Sequence, residues 1–82
     1  MPYPHSYIKL TPQERTRITT EITRLFVAGE IITCKRLQAI FLSCNGYTYS
    51  QIGRSLDVSY LSIKRWVSIY RKEGLAGLLR YP

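Results

Sequence analysis

Residues 48–68 read Thr48-Tyr49-Ser50-Gln51-Ile52-Gly53-Arg54-Ser55-Leu56-Asp57-Val58-Ser59-Tyr60-Leu61-Ser62-Ile63-Lys64-Arg65-Trp66-Val67-Ser68. Two helix starts and one tight turn are written into this stretch. Thr48 followed by Gln51 three positions later is a capping box, in which each side chain satisfies a backbone N–H that the first helical turn leaves orphaned. A short helix over about 49–56 follows, with Ile52 and Leu56 turned inward. Asp57-Val58 makes a turn, and Ser59 is placed to cap the next helix. That helix carries Ile63, Trp66, Val67 and Tyr70 on one face, and Gly74 is its natural stop.

Two helices joined this tightly can pack only if certain residue types stand at fixed positions. The first helix needs a small residue where the second crosses it, and Gly53 supplies it. Alanine is commoner there. The turn needs a residue that tolerates positive φ. Glycine is the usual choice, and Asp57 accepts that geometry at a cost of about 1 kcal/mol. Val58 then plugs the core, Ser59 caps, and Ile63 and Trp66 form the inward pair. The pattern is that of a helix-turn-helix, whose second helix keeps its other face free. That face carries Tyr60, Leu61, Ser62, Lys64, Arg65 and Ser68: two adjacent cations, hydroxyls, and an apolar side chain with no core to enter.

Outward from this unit the chain remains helical. Thr11-Pro12-Gln13-Glu14 is a second strong start, with Thr11 as cap, Pro12 at the first helical position and Glu14 closing a capping box. Ile18, Ile22, Leu25 and Phe26 follow at helical spacing up to Gly29, which predicts a helix over about 12–28. A further helix is expected to open at Thr33, bury Leu37, Ile40, Phe41 and Cys44, and end at Asn45-Gly46. Leu75-Ala76-Gly77-Leu78-Leu79 reads as one more turn packed on the bundle. No alternating strand pattern occurs. The expected fold is all-α, a small bundle of about four helices plus a short C-terminal turn. Residues 1–10, with Pro2 and Pro4, read as an extended arm, residues 11–82 as one domain, and residues 48–73 as its helix-turn-helix unit.

Charge narrows the partner. Twelve Lys and Arg against five Asp and Glu give a net charge of +7, which favours an anionic partner. Between Lys35 and Lys72 stand Lys35, Arg36, Arg54, Lys64, Arg65, Arg71 and Lys72 with a single acid, Asp57, whereas the first 30 residues are closer to balance. The N-terminus has no basic, then apolar, leader pattern, and no segment is apolar enough to suggest a membrane span. Cys34 and Cys44 on one helix would stand about 15 Å apart, too far for a disulfide. Both read as buried small side chains in a reducing cytoplasm. With one histidine, no zinc ligand set, no paired carboxylates and no glycine-rich phosphate loop, no enzyme, metal, cofactor or small-molecule substrate is expected.

Residues 10–80 resemble the N-terminal DNA-binding domain of bacterial insertion-sequence transposases of the mariner-related superfamily, itself similar to the first half of a paired domain. The resemblance rests on Leu10-Thr11-Pro12-Gln13-Glu14-Arg15 and on the helix ending Asn45-Gly46. It continues through Tyr49 to Ser59, through Ile63-Lys64-Arg65-Trp66, and through Tyr70-Arg71-Lys72-Glu73-Gly74-Leu75-Ala76-Gly77-Leu78. The Glu-Gly-Leu-Ala-Gly-Leu run is the most telling, because generic helix-turn-helix repressors do not usually carry it. The resemblance implies binding to the terminal inverted repeats of a mobile element in a prokaryotic cytoplasm. It also implies a separate catalytic domain with three acidic metal ligands, which is not expected among these residues. The chain would then be an excised domain, a truncated frame or a free-standing regulator, with a homodimer possible through helix one or the tail leucines. A transcription regulator and a protein-docking module are the competing readings.

Residue roles follow from chemistry. Arg65 and Lys64 are the first candidates for base edges, since an arginine can bridge both guanine acceptors in the major groove. Ser59, Tyr60, Ser62 and Ser68 could reach bases or phosphates, and Leu61 a thymine methyl. Tyr49, Ser50 and Gln51 open a helix whose N-terminus suits a phosphate. Arg54, Lys35 and Arg36 are expected as backbone clamps, which position without specifying. Arg71 and Lys72 are open between DNA contact and a structural role at a helix end. Trp66 is expected in the core.

Overall fold

A computed structural model describes residues 8–80. Four helices follow in order: α1 (Pro12–Val27), α2 (Ile31–Cys44), α3 (Tyr49–Leu56) and α4 (Tyr60–Arg80), and no strand occurs among the described residues. α1 begins where the capping box predicts. The Thr11 hydroxyl accepts from the Glu14 N–H at 3.1 Å, and the Glu14 carboxylate accepts from the Thr11 N–H at 2.8 Å. α3 begins by the same device, Thr48 and Gln51 exchanging bonds of 3.1 and 2.9 Å. The Ser59 hydroxyl accepts from the Ser62 N–H at 3.1 Å and so caps α4.

One boundary departs from expectation. α2 starts at Ile31 rather than at Thr33, with Glu30 as its cap residue and no side-chain capping bond. The α1–α2 connection is closed by backbone alone. The Glu30 N–H donates to the Leu25 carbonyl and the Cys34 N–H to the Glu30 carbonyl, with Gly29 at φ 79. α4 runs to Arg80 but is broken at Gly74, whose φ of 71 and ψ of −164 are open to glycine and costly to any other residue. The break turns residues 75–80 back onto the bundle, where Leu78 is fully buried.

The core is a single cluster. Ile18 and Leu25 of α1 meet Cys34, Leu37, Ala39 and Ile40 of α2, Ile52 of α3, and Ile63, Trp66, Val67 and Leu78 of α4. Ile8, just before α1, is also buried in it. The remainder of the expected N-terminal arm, residues 1–7, lies outside the described residues. Both cysteines are free and buried. The Cys34 thiol donates to the Ile22 carbonyl at 3.6 Å, and burial raises its pKa. The Tyr70 hydroxyl donates to Glu14 at 3.5 Å, tying α4 to the start of α1.

Arg36 corrects one expectation. Its side chain is buried at 6% exposure, and Nη1 donates to the Leu78 carbonyl at 3.3 Å. It fastens the C-terminal tail to α2 and is withdrawn from any phosphate. Lys35, in the same turn of α2, is half-buried.

Candidate nucleic-acid interface

The α3–α4 turn has the geometry that the residue types require. Asp57 adopts φ 57 and ψ 51, the left-handed conformation, and is the single non-glycine residue with positive φ among the described residues. The Val58 N–H returns to the Gly53 carbonyl at 3.0 Å. A Cβ on Gly53 would stand 2.8 Å from the Val58 carbonyl oxygen and 3.4 Å from Ile63. Alanine, which many such turns accept at this place, has no room in this one.

With the turn fixed, α4 divides cleanly. Ile63, Trp66 and Val67 are buried, at 0, 7 and 2% exposure. Tyr60, Leu61, Lys64, Arg65 and Ser68 are exposed and Ser62 half-buried. Leu61, at 67%, is among the most exposed large apolar side chains of the described residues, although it sits at the start of a well-packed helix. Burial cannot explain a leucine there. The Tyr60 ring meets that of Tyr49 edge-on, with centroids 5.7 Å apart and planes at 65°. The pair joins the starts of α3 and α4 and holds Tyr60 in place. Tyr49 is half-buried, and that burial raises its pKa above the usual tyrosine value.

Several hydroxyl and amide groups are already committed. The Ser59 hydroxyl donates to the Ser62 hydroxyl at 3.0 Å while capping α4, and the Gln51 side-chain oxygen is held by the α3 cap. Ser59 thus orders the helix start, and Gln51 keeps its amide nitrogen as a donor. Ser50 and Arg54 are exposed on α3. None of Arg54, Lys64, Arg65 and Lys72 has an acidic partner among the described residues; the ion pairs there are Arg24–Glu21 and Arg80–Glu73.

α3 and α4 also enclose a shallow trough of about 380 Å³ lined by Tyr49, Lys64, Val67, Ser68, Arg71 and Lys72. Lys64, Ser68 and Arg71 recur at four and three positions, on one helix face. That spacing was the available signal for adding Arg71 and Lys72 to the cationic surface. The trough brings them to the start of α3, where the helix dipole also favours an anion. Lys35 and Arg36 do not line this trough. Among the described residues no group of His, Cys, Asp and Glu could hold a metal ion, and no helix is long and apolar enough to cross a membrane.

Comparison with known proteins agrees with this geometry. A family model described as a homeodomain-like domain matches residues 33–79, which span most of α2, all of α3 and α4 through the tail. No curated protein and no solved structure matches the chain.

Proposed function

The chain belongs to the homeodomain-like domain family, and from this we propose that it binds double-stranded DNA in a sequence-specific way, with α4 lying in the major groove. The observation that carries the reading is the outward face of α4. It combines an unpaired cation pair, Lys64 and Arg65, with an exposed Leu61 and a capped, rigid helix start. Arg65 reads a guanine through its two major-groove acceptors, and Leu61 packs on a thymine methyl. The two are four residues apart, about 6 Å along the helix at 1.5 Å per residue. That spans about two base-pair steps of 3.4 Å each, so a thymine and a guanine two steps apart is the expected element of the site. Tyr60, Ser62 and Ser68 flank them.

Phosphates are held by Arg54, by Ser50 and the Gln51 amide at the start of α3, and by the cations of the Tyr49 trough. These contacts set register and carry no base information. The resemblance of residues 10–80 to mariner-related insertion-sequence transposases makes the terminal inverted repeat of a mobile element the expected target. A site beside a regulated gene would instead favour a transcription regulator.

Selection of bound duplexes from a random pool, at two salt concentrations, tests the reading. A defined motif is expected. Arg65→Ala should relax it at one or two positions, with a loss of about 1–3 kcal/mol against the preferred base. Occurrence of the motif as inverted repeats flanking a catalytic reading frame would support the transposon target. Binding without any motif would reduce the domain to an electrostatic accessory. Loss of all binding at low salt would refute the proposal.

A further inference from the structure

Resting on the DNA-binding reading, we propose that the duplex backbone continues past the outward face of α4 into a second phosphate seat, built by Lys9, Arg17 and Arg71. A hollow of about 510 Å³ opens where the residues before α1, the first half of α1 and the later turns of α4 meet. Lys9, Arg17 and Arg71 line it together with Glu14 and Tyr70, over a floor that includes Ile8, Ile18 and Leu75. Arg71 also lines the trough beside Tyr49 and Lys64. The two depressions are therefore neighbours on one cationic surface, with Arg71 between them.

The near-balance of charge over the first 30 residues conceals this cluster, because the acids there are already engaged. Glu14, the one acid of the hollow, accepts from the Thr11 N–H through Oε1 at 2.8 Å and from the Tyr70 hydroxyl through Oε2 at 3.5 Å. The second bond ties the start of α1 to α4, one residue from Arg71 and three from Arg17. It steadies the backbone that carries the two arginines. Glu21, a turn beyond Arg17, is held by Arg24 in an ion pair of 2.6 Å. Lys9 and Arg17 are exposed, and neither belongs to an ion pair among the described residues.

Chemistry and position select the ligand. Three exposed cations around one engaged acid leave an excess of positive charge, which attracts an anion. A small-molecule site is lined mainly by apolar groups with a few converging polar ones. Here the rim is charged and solvated, as suits a phosphodiester backbone. Arg71 stands seven residues from Lys64 on the outward face of α4, about 10 Å along the helix. A duplex carries one charge per about 1.7 Å of its axis. Backbone laid against Lys64 and Arg71 therefore brings further phosphates to Arg17 and Lys9, distinct from the one at Lys64.

Salt titrations of full-chain binding to the selected duplex, with ethylation interference to locate the phosphates, test the seat. Lys9→Ala and Arg17→Ala should each weaken binding roughly five- to tenfold near 0.1 M salt and lower the slope of log K against log salt by about 1. The selected motif should not change, because backbone contacts carry no base information. In Arg17→Ala one phosphate should lose its sensitivity to ethylation, and a different one in Lys64→Ala. Arg17→Lys should keep the slope of the unaltered chain. Arg80→Ala, which removes an exposed cation paired with Glu73, should change neither slope nor pattern. Circular dichroism and the urea midpoint check that each variant is folded. Slopes equal to that of the unaltered chain in both Lys9→Ala and Arg17→Ala would overturn the proposal. So would an unchanged ethylation pattern, or an equal loss of slope in Arg80→Ala, which would reduce the effect to net charge. In each of these cases the unaltered chain still binds its motif and the proposed function stands. If the unaltered chain binds no DNA, that reading fails first and the seat falls with it.

Discussion

At the scale of single residues, the constraint that shapes the α3–α4 turn is Gly53. Its missing Cβ lets the Val58 carbonyl approach to a distance that any side chain would occupy, 2.8 Å from a built Cβ. The neighbour is backbone within a tight turn, so it cannot rotate away. Gly53→Ala should therefore destabilise the fold by about 1–3 kcal/mol despite alanine's better helix propensity, as an overpacked site does. Urea unfolding of the two chains decides it, and an unchanged midpoint would show that the turn relaxes. The residue types at Gly53, Asp57, Val58 and Ser59 make this turn legible in the sequence. Arg36 was not legible. Its partner is the Leu78 carbonyl, 42 residues away, and a cation on a helix looks the same in sequence whether it faces solvent or a distant carbonyl. The burial predicts that Arg36→Ala loses about 1–3 kcal/mol of stability through a broken buried hydrogen bond. It should leave the salt dependence of DNA binding as it was, as measured on protein confirmed to be folded.

At the scale of elements, side-chain caps decided what could be read. α1, α3 and α4 each announce their start with a hydroxyl that accepts from the third helical N–H. α2 has no such signal, because Glu30 makes no capping bond and the connection is closed by backbone carbonyls. Its start therefore lies two residues before the expected Thr33, while its end matches Asn45-Gly46, where the glycine sits at φ 93. The division of α4 into buried and exposed faces followed from spacing alone. What spacing could not show was that the α3 start and the later turns of α4 converge on one cationic trough, since that depends on the crossing of two helices. Lys64 lines the trough as well as standing on the outward face of α4, so the proposed function gives it a phosphate contact to test. Lys64→Ala should lower affinity nearly uniformly across sequences and reduce the slope of log K against log salt by about 1. Arg65→Ala should instead act on sequence preference. Equal slopes for wild type and Lys64→Ala would remove Lys64 from the phosphate contacts.

For the whole molecule, size makes the C-terminal tail structural rather than ornamental. A chain of 82 residues buries a limited share of its surface, and one cluster of side chains from all four helices holds it together. The Gly74 break lets residues 75–80 fold back, so that Leu78 reaches 0% exposure and its carbonyl receives Arg36 from α2. The tail thereby locks α4 to α2 and so holds α4 against the rest of the bundle. Leu78→Ala should cost about 2–5 kcal/mol, the usual range for emptying a buried leucine site. Small domains have only roughly 5–15 kcal/mol in total, so this one change removes a large part of the margin. Because Leu78 touches no surface assigned to DNA, the loss should appear as a lower unfolding midpoint in urea. DNA affinity should fall only as the folded fraction falls, with sequence preference unchanged. An altered preference in the folded Leu78→Ala protein would mean that the tail sets the pose of α4 on DNA, and the separation of scaffold from reading face would have to be given up.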